Sequence, residues 1–185
     1  MKYLLHHEET ARLRFRSVMP SDFDQWLAFF QSPSSFAHWK HDDEEPEVAC
    51  KKWFARQAER YEKDEGGMNA LIEKHSGALI GYGGLLVQTV DGRMELEVAY
   101  SLLPGFRNQG FATETSAKCR DVGFENGYAD SLISIISLTN NPSANVARKN
   151  GMHIDKQTVY HNNQVNIFRI DKPTWQAISR DKAAG

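Results

Sequence analysis

Cysteine is nearly missing from this chain of 185 residues: Cys50 and Cys119 are the only two. Each falls in a stretch with helical periodicity and neither has a partner at metal-ligand spacing. No disulfide framework and no cysteine-based zinc cluster is expected, and both read as buried free thiols. Long apolar runs are also missing, since no stretch of about 18 apolar residues occurs, so no membrane-spanning helix is expected. The opening MKYLLHHEET is too short and too polar to read as a signal peptide. An excess of either charge is lacking: 22 basic and 24 acidic residues leave a formal net charge of -2, which gives no broad grip on nucleic acid or on an anionic membrane. Neither is expected as a partner, and the cytoplasm is the expected location. Repeats and low-complexity segments are absent.

What is present is 41% hydrophobic and 25% charged residues, the composition of one soluble domain with a core. A single domain over 1–185 is expected, with a flexible start and a folded core from about residue 9 to about 172. The seven histidines are scattered. Only His38 and His41 approach metal-like spacing, beside Asp42 and Asp43, where a solvated acidic loop is the simpler reading, and no metal site is expected.

Along the chain, TARLRFRSV alternates apolar Leu13, Phe15 and Val18 with arginines, which predicts a first strand. Ser21 and Asp22 offer caps for a helix carrying Phe23, Trp26, Leu27 and Phe30 at three- and four-residue spacing. Trp26, Phe29 and Phe30 read as core. After the loop SPSSFAHWKHDDEE, Pro46 opens a second helix with Cys50, Phe54, Ala58 and Tyr61 as its buried stripe. NALIEK, GALIGYGGLLVQTV and MELEVAYSLL predict an antiparallel meander turned at His75–Gly77 and Asp91–Gly92. A helix follows Gly110, with Ala112, Thr115, Cys119 and Val122 on one face. DSLISIISL predicts a buried strand and SANVARKNG a short helix closed by Gly151. Two strands near MHIDKQTVY and QVNIFRI complete the chain.

The segment PGFRNQGFATE joins a strand end to a helix start. The first N–H groups of that helix have no intrahelical partners and point outward together. Gly110 has no Cβ to hold a ligand off the backbone, the helix dipole adds partial positive charge, and Arg107 adds a cation, so a phosphate or pyrophosphate fits there.

Arg107, Asn108, Gln109, Gly110, Phe111 and Ala112 stand in the pattern [Arg/Gln]-x-x-Gly-x-[Gly/Ala], which resembles the pyrophosphate-cradling motif of GNAT-superfamily acetyltransferases. Glu97-Val98-Ala99-Tyr100 just before it is similar to the Ala-Glu-Ile-Gly-Tyr strand of the RimJ/RimL-type subgroup, which resembles ribosomal-protein N-terminal acetyltransferases. Asn140 to Met152 is similar to that subgroup's Asn-x-x-Ser-x-x-Val-x-x-Lys-x-Gly-Phe segment. The likeness runs over nearly the whole chain. It implies a mixed α/β (α+β) fold whose central, mostly antiparallel sheet splays between strands four and five, with helices on both sides. Acetyl-CoA would be the cosubstrate, its pyrophosphate held by Arg107 to Thr113. Main-chain groups around Leu102 would pair with pantetheine, and Asn140 would bond a pantetheine amide.

An amine attacks a thioester only when neutral, so a base is needed. Glu97 matches the subgroup's glutamate, and a partly desolvated carboxylate is raised toward neutral pKa. Glu95, on the same strand face, is its rival. An N–H between Val98 and Leu102 would serve the oxyanion. Where many GNAT enzymes carry a thiolate-protonating tyrosine, this chain has Ala147. Ser143 would bond the coenzyme sulfur or hold a water there, or else cap the short helix. Asn145 reads as solvent-facing, and the loop from Phe36 to Asp43, with Trp39, would border the acceptor. The expected activity is acetyl transfer to a primary amine by direct attack in a ternary complex, with a peptide or protein N-terminus as the favoured acceptor. A polyamine, aminoglycoside or amino acid acceptor stays open, as do a non-catalytic coenzyme A sensor and a monomer or a homodimer.

Overall fold

The computed structural model describes residues 2–40 and 43–184. A seven-stranded sheet in the order β1-β2-β3-β4-β5-β7-β6 forms its centre. Strand β1 (Leu13–Arg16) leads through α1 (Phe23–Phe30) and α2 (Pro46–Glu62) into the meander of β2 (Gly66–Glu73), β3 (Leu79–Val90) and β4 (Arg93–Leu102). Helix α3 (Phe111–Glu125), β5 (Ser131–Ser137), α4 (Asn141–Lys149), β6 (His153–Tyr160) and β7 (Asn163–Asp171) follow, and α5 (Lys172–Ala184) closes the fold. The β3–β4 turn uses Asp91 and Gly92 at φ 48° and 76°, the left-handed pair that an Asp-Gly hairpin favours.

Apolar side chains pack on both faces of the sheet. On one, Leu85, Val98, Leu102, Cys119, Phe124 and Phe168 form the core beneath α3 and α4. On the other, Trp26, Cys50, Met68 and Tyr82 pack beneath α1 and α2. Both cysteines are free and buried, and burial pushes the Cys50 thiol up to about 11. Gly83 lets α3 lie close on β3, because a Cβ there would come within 2.3 Å of Thr115 Cγ2.

Four expectations change. The N-terminal segment is not loose: Leu5 is fully buried and its N–H donates to Asn69 Oδ1 at 3.1 Å. In α2, Ala58 is exposed and Gln57 is buried, its Oε1 accepting from the Met68 N–H at 2.9 Å. A polar residue takes the inward position because the β2 backbone needs a donor's partner there. Asp22 does not cap α1; it accepts from the Met19 N–H and pairs with Arg16 at 2.6 Å. Finally, α5 extends the fold past residue 172. Its polar sequence hides two apolar anchors: Trp175, which stacks on Phe124 at 5.3 Å and donates to Asp121 at 2.8 Å, and Ile178, which packs on the core.

The feature that positions the site is the junction of β4 and β5. These strands run parallel and share one paired position, Glu97 with Ile133. Just beyond it, Ser134 Oγ donates to the Val98 carbonyl at 2.8 Å in a buried bond, and the strands then part. Ser134→Ala leaves that carbonyl without its side-chain donor and is expected to destabilise the fold by about 1–3 kcal/mol. Denaturant titration checks this; an unchanged midpoint would mean the bond does not hold the junction.

Candidate active site

Where β4 and β5 part, a cavity of about 570 Å³ opens between Arg107, Gly110 and Thr113 at one end and Trp39, Tyr100 and Ser143 at the other. A smaller one of about 130 Å³ lies next to it and contains Glu97, Ser134 and Ala147. The two share Trp39, Tyr100, Asn140 and Ser143 in their walls. They make one slot with the Arg107–Gly110 turn at one end and the Glu97 carboxylate at the other.

The turn is built by its backbone. Pro104–Phe106 is a single 3-10 turn after β4, and Asn108 and Gly110 then take φ values of 60° and 84°. The second left-handed position suits glycine. Gly110 is the residue before α3 and no side chain caps that helix start. The N–H groups of Phe111, Ala112 and Thr113 therefore have no intrahelical acceptor. The Arg107 guanidinium donates to the Leu102 carbonyl at 3.1 Å and to the hydroxyls of Ser34 and Ser35 at 2.8 Å each. No carboxylate is among these partners, and burial lowers the Arg107 pKa.

The predicted segment divides by function. Ala112, Thr113 and Asn108 line the cavity. The Phe111 side chain is core, and the Gln109 amide turns back to the Gly105 carbonyl at 2.8 Å. A clamp that sequence reasoning missed holds the turn from β1. Arg12 donates to the Gln109 carbonyl at 2.9 Å and to Glu114 at 2.7 Å, and its guanidinium lies 4.2 Å from the centre of the Phe111 ring. Burial opposes the charge on Glu114, but hydrogen bonds from Thr10 and Arg12 outweigh it and hold its pKa below the ordinary value. The alternation of TARLRFR showed only that Arg12 faces away from the core.

At the inner end, the two candidate bases separate. Glu95 accepts a bidentate pair from Arg169 at 3.0 and 2.8 Å, so its charge is used in the fold. Glu97 is 9% exposed, and among the described residues it has no ion-pair partner. Its Oε2 accepts from Gln88 Nε2 at 2.8 Å. Gln88 cannot turn round, because its Oε1 accepts from Tyr160 at 3.0 Å and from Arg60 at 3.1 Å. Burial pushes the Glu97 carboxyl up to about 7, although bonds from Gln88 and the Ile135 amide and the charge of Arg60 pull the other way. A carboxylate poised there can take a proton near neutral pH.

On α4, Asn140 caps the helix, its Oδ1 accepting from the Ser143 N–H at 3.1 Å. The cap is thus Asn140 rather than Ser143, and the Ser143 side chain faces the slot. Asn145 is exposed at its rim. Ala147 is buried, a methyl group in the wall of the smaller cavity. On the other side, Phe29, His38 and Trp39 line the slot, while Phe36 packs on Phe29 and Phe30. His38 lies 3.1 Å from the Thr139 hydroxyl. Among the described residues, no group of three or more potential metal ligands is assembled, and His41 and Asp42 lie outside those residues.

Residues 12–153 match the acetyltransferase (GNAT) domain family. The Bacillus subtilis (strain 168) protein YkkB is 25% identical over 163 residues, which cover 86% of this chain and 92% of YkkB. An acetyltransferase from Agrobacterium tumefaciens str. C58 has a TM-score of 0.75 at 22% identity, over 93% of this chain and 95% of that one. Ribosomal-protein-S5-alanine acetyltransferase from Vibrio fischeri has 0.70 at 16%, over 91% and 97%. Spermidine N-acetyltransferase from Vibrio cholerae, solved with CoA and spermine, has 0.72 at 12%, over 90% and 99%. At these identities the structural matches establish the shared fold.

The raised Glu97 pKa sets a sign for stability. The folded state holds this proton more tightly than the unfolded chain, so the cost of burial is absent below about 4.5 and grows as pH rises to about 7. Glu97→Gln is expected to be more stable than the parent by about 2–3 kcal/mol near pH 8, with the gap closing toward about pH 4. Denaturant titrations at both pH values measure it, and a gap that does not change with pH would contradict the assignment.

Proposed function

The chain belongs to the GNAT acetyltransferase family, and we propose that it moves the acetyl group of acetyl-CoA to the free α-amine of a peptide or protein. The observation that carries this reading is the slot itself. One end has an uncapped helix start beside an arginine that has no carboxylate partner among the described residues, and the other has a buried carboxylate with its pKa pushed up to about 7. In this reading the N–H groups of Phe111, Ala112 and Thr113, with Arg107, take the pyrophosphate. The edge of β4 up to Leu102 pairs with pantetheine, helped by the Asn140 amide, and an N–H between Val98 and Leu102 meets the oxyanion. Glu97 removes a proton from the attacking nitrogen, directly or through one water.

The choice of acceptor follows from matching acids. An α-amine has a pKa of about 7.7–8.0, against about 10.4 for a lysine side chain. A carboxylate poised near 7 is therefore suited to the α-amine and poorly matched to the lysine. A peptide also brings backbone groups that can pair along the open strand edges, with Phe29, Trp39 and His38 meeting its first side chains. The likeness to a ribosomal-protein acetyltransferase agrees with this acceptor. A polyamine is the second reading, favoured by the likeness to a spermidine acetyltransferase and by acidic Asp43, Glu44 and Glu45 beyond the Trp39 loop, although Glu44 already pairs with Lys52.

A panel of free-terminus peptides, blocked lysine peptides, polyamines and aminoglycosides, followed by release of coenzyme A, tests both. Free-terminus peptides are expected to give the highest kcat/KM, and Glu97→Gln is expected to lower it about 10²- to 10⁴-fold at neutral pH. Turnover confined to polyamines or drugs would replace the acceptor. Full activity in Glu97→Gln would remove the base.

A further inference from the structure

Collapse of the tetrahedral adduct expels a thiolate, and the helix position at which related enzymes carry a proton-donating tyrosine is Ala147 here, which has no proton to give. A different tyrosine reaches the same place. Tyr100 sits on β4 three residues after Glu97, so strand alternation sends the two side chains to opposite faces of the sheet. Glu97 approaches the slot from one side and Tyr100 from the side of α4. Tyr100 lines both cavities, and its hydroxyl is shielded from solvent without a hydrogen-bond partner. Buried hydroxyls almost always have partners. One that belongs to the wall of a slot and lacks a partner is placed for a group that arrives with the ligand.

We propose that Tyr100 is the catalytic acid that protonates the sulfur of coenzyme A. The inference rests on the acetyltransferase reading. As the nitrogen bonds to the acetyl carbon, its proton passes to Glu97. As the C–S bond breaks, its electron pair stays on sulfur, which takes the phenolic proton. The resulting phenolate is reprotonated through Ser143 and water, and Glu97 returns its proton to solvent. The products are the amide and coenzyme A thiol, with every proton accounted for.

The chemistry favours a phenol over the Ser143 hydroxyl, because a phenol at about 10 lies close to a thiol at about 8.5, whereas an alcohol is a far weaker acid. Burial raises the Tyr100 pKa further, and the Ser143 hydroxyl opposes part of that shift without making a hydrogen bond of good geometry. The phenol therefore holds its proton at neutral pH; its transfer to the less basic thiolate is uphill and is drawn on by reprotonation of the phenolate through Ser143 and water. The other titratable side chains lining the two cavities are Glu97, His38, Arg107 and Lys149.

Tyr100→Phe keeps the ring and is expected to lower kcat about 10²-fold with the dissociation constant for coenzyme A unchanged. A fluorinated tyrosine at position 100, a stronger acid, is expected to move the alkaline fall of kcat to lower pH. A packing role for the ring would respond to neither change. Wild-type kcat in the Phe variant, or an alkaline limb indifferent to fluorination, would overturn the proposal. A parent chain that binds coenzyme A and acetylates no amine would instead remove the acetyltransferase reading beneath it.

Discussion

A single rung of parallel pairing, Glu97 with Ile133, sets the geometry of the whole site. Strand β4 pairs with β3 along its whole length but with β5 only at this position, and beyond it, toward Leu102, its β5-facing edge is open. Backbone groups in a sheet interior are ordinarily all paired, and here a row of them faces a slot. The separation is sustained because α3 and α4 pack beneath the two strands and the Ser134 bond to Val98 marks where pairing ends. A ligand with its own amide groups could complete the sheet there.

Three buried or partly buried carboxylates outside the slot have arginine partners, whereas among the described residues Arg107 and Glu97 have no ion-pair partner. Glu95 meets Arg169, Glu114 meets Arg12 and Asp22 meets Arg16. Arg107 has only neutral oxygens, and Glu97 has only amides, with a pKa raised by burial. Unpaired buried charge is destabilising. Its position at the two ends of one slot suits a ligand that is anionic at one end and brings an amine to the other. Thr10, Arg12 and Glu114 do not line the cavity; they fix the turn that does.

Much of the fold was legible because its periodicities are clean. The Asp-Gly hairpin, the glycine before α3 and the strand that follows it are local signals, and the structure has them in place. The long-range features were not legible. Glu95 and Glu97 share a strand face, and what separates them is Arg169 for one and Gln88 for the other, each brought in by a different strand. The Arg12 clamp joins residues far apart in the chain. Gln57 carries a polar side chain inward in place of Ala58 because a backbone N–H on β2 needs an acceptor, which no helical pattern displays. Helix α5 docks through Trp175 against α3 and through Ile178 on the core, two apolar residues in a polar stretch. Tyr100 read as part of a strand motif, and only burial of its hydroxyl among slot residues marks it out.

The central claim is that the open edge of β4 is the coenzyme slot. Amide hydrogen exchange resolved along β4, with and without coenzyme A, tests it directly. In the free chain, the slot-facing amides between Val98 and Leu102 should exchange readily while those paired with β3 are protected. Coenzyme A should protect these amides, together with Phe111 to Thr113, and leave the Arg93 end of the strand unchanged. Protection that appeared elsewhere, or not at all at saturating coenzyme A, would contradict it.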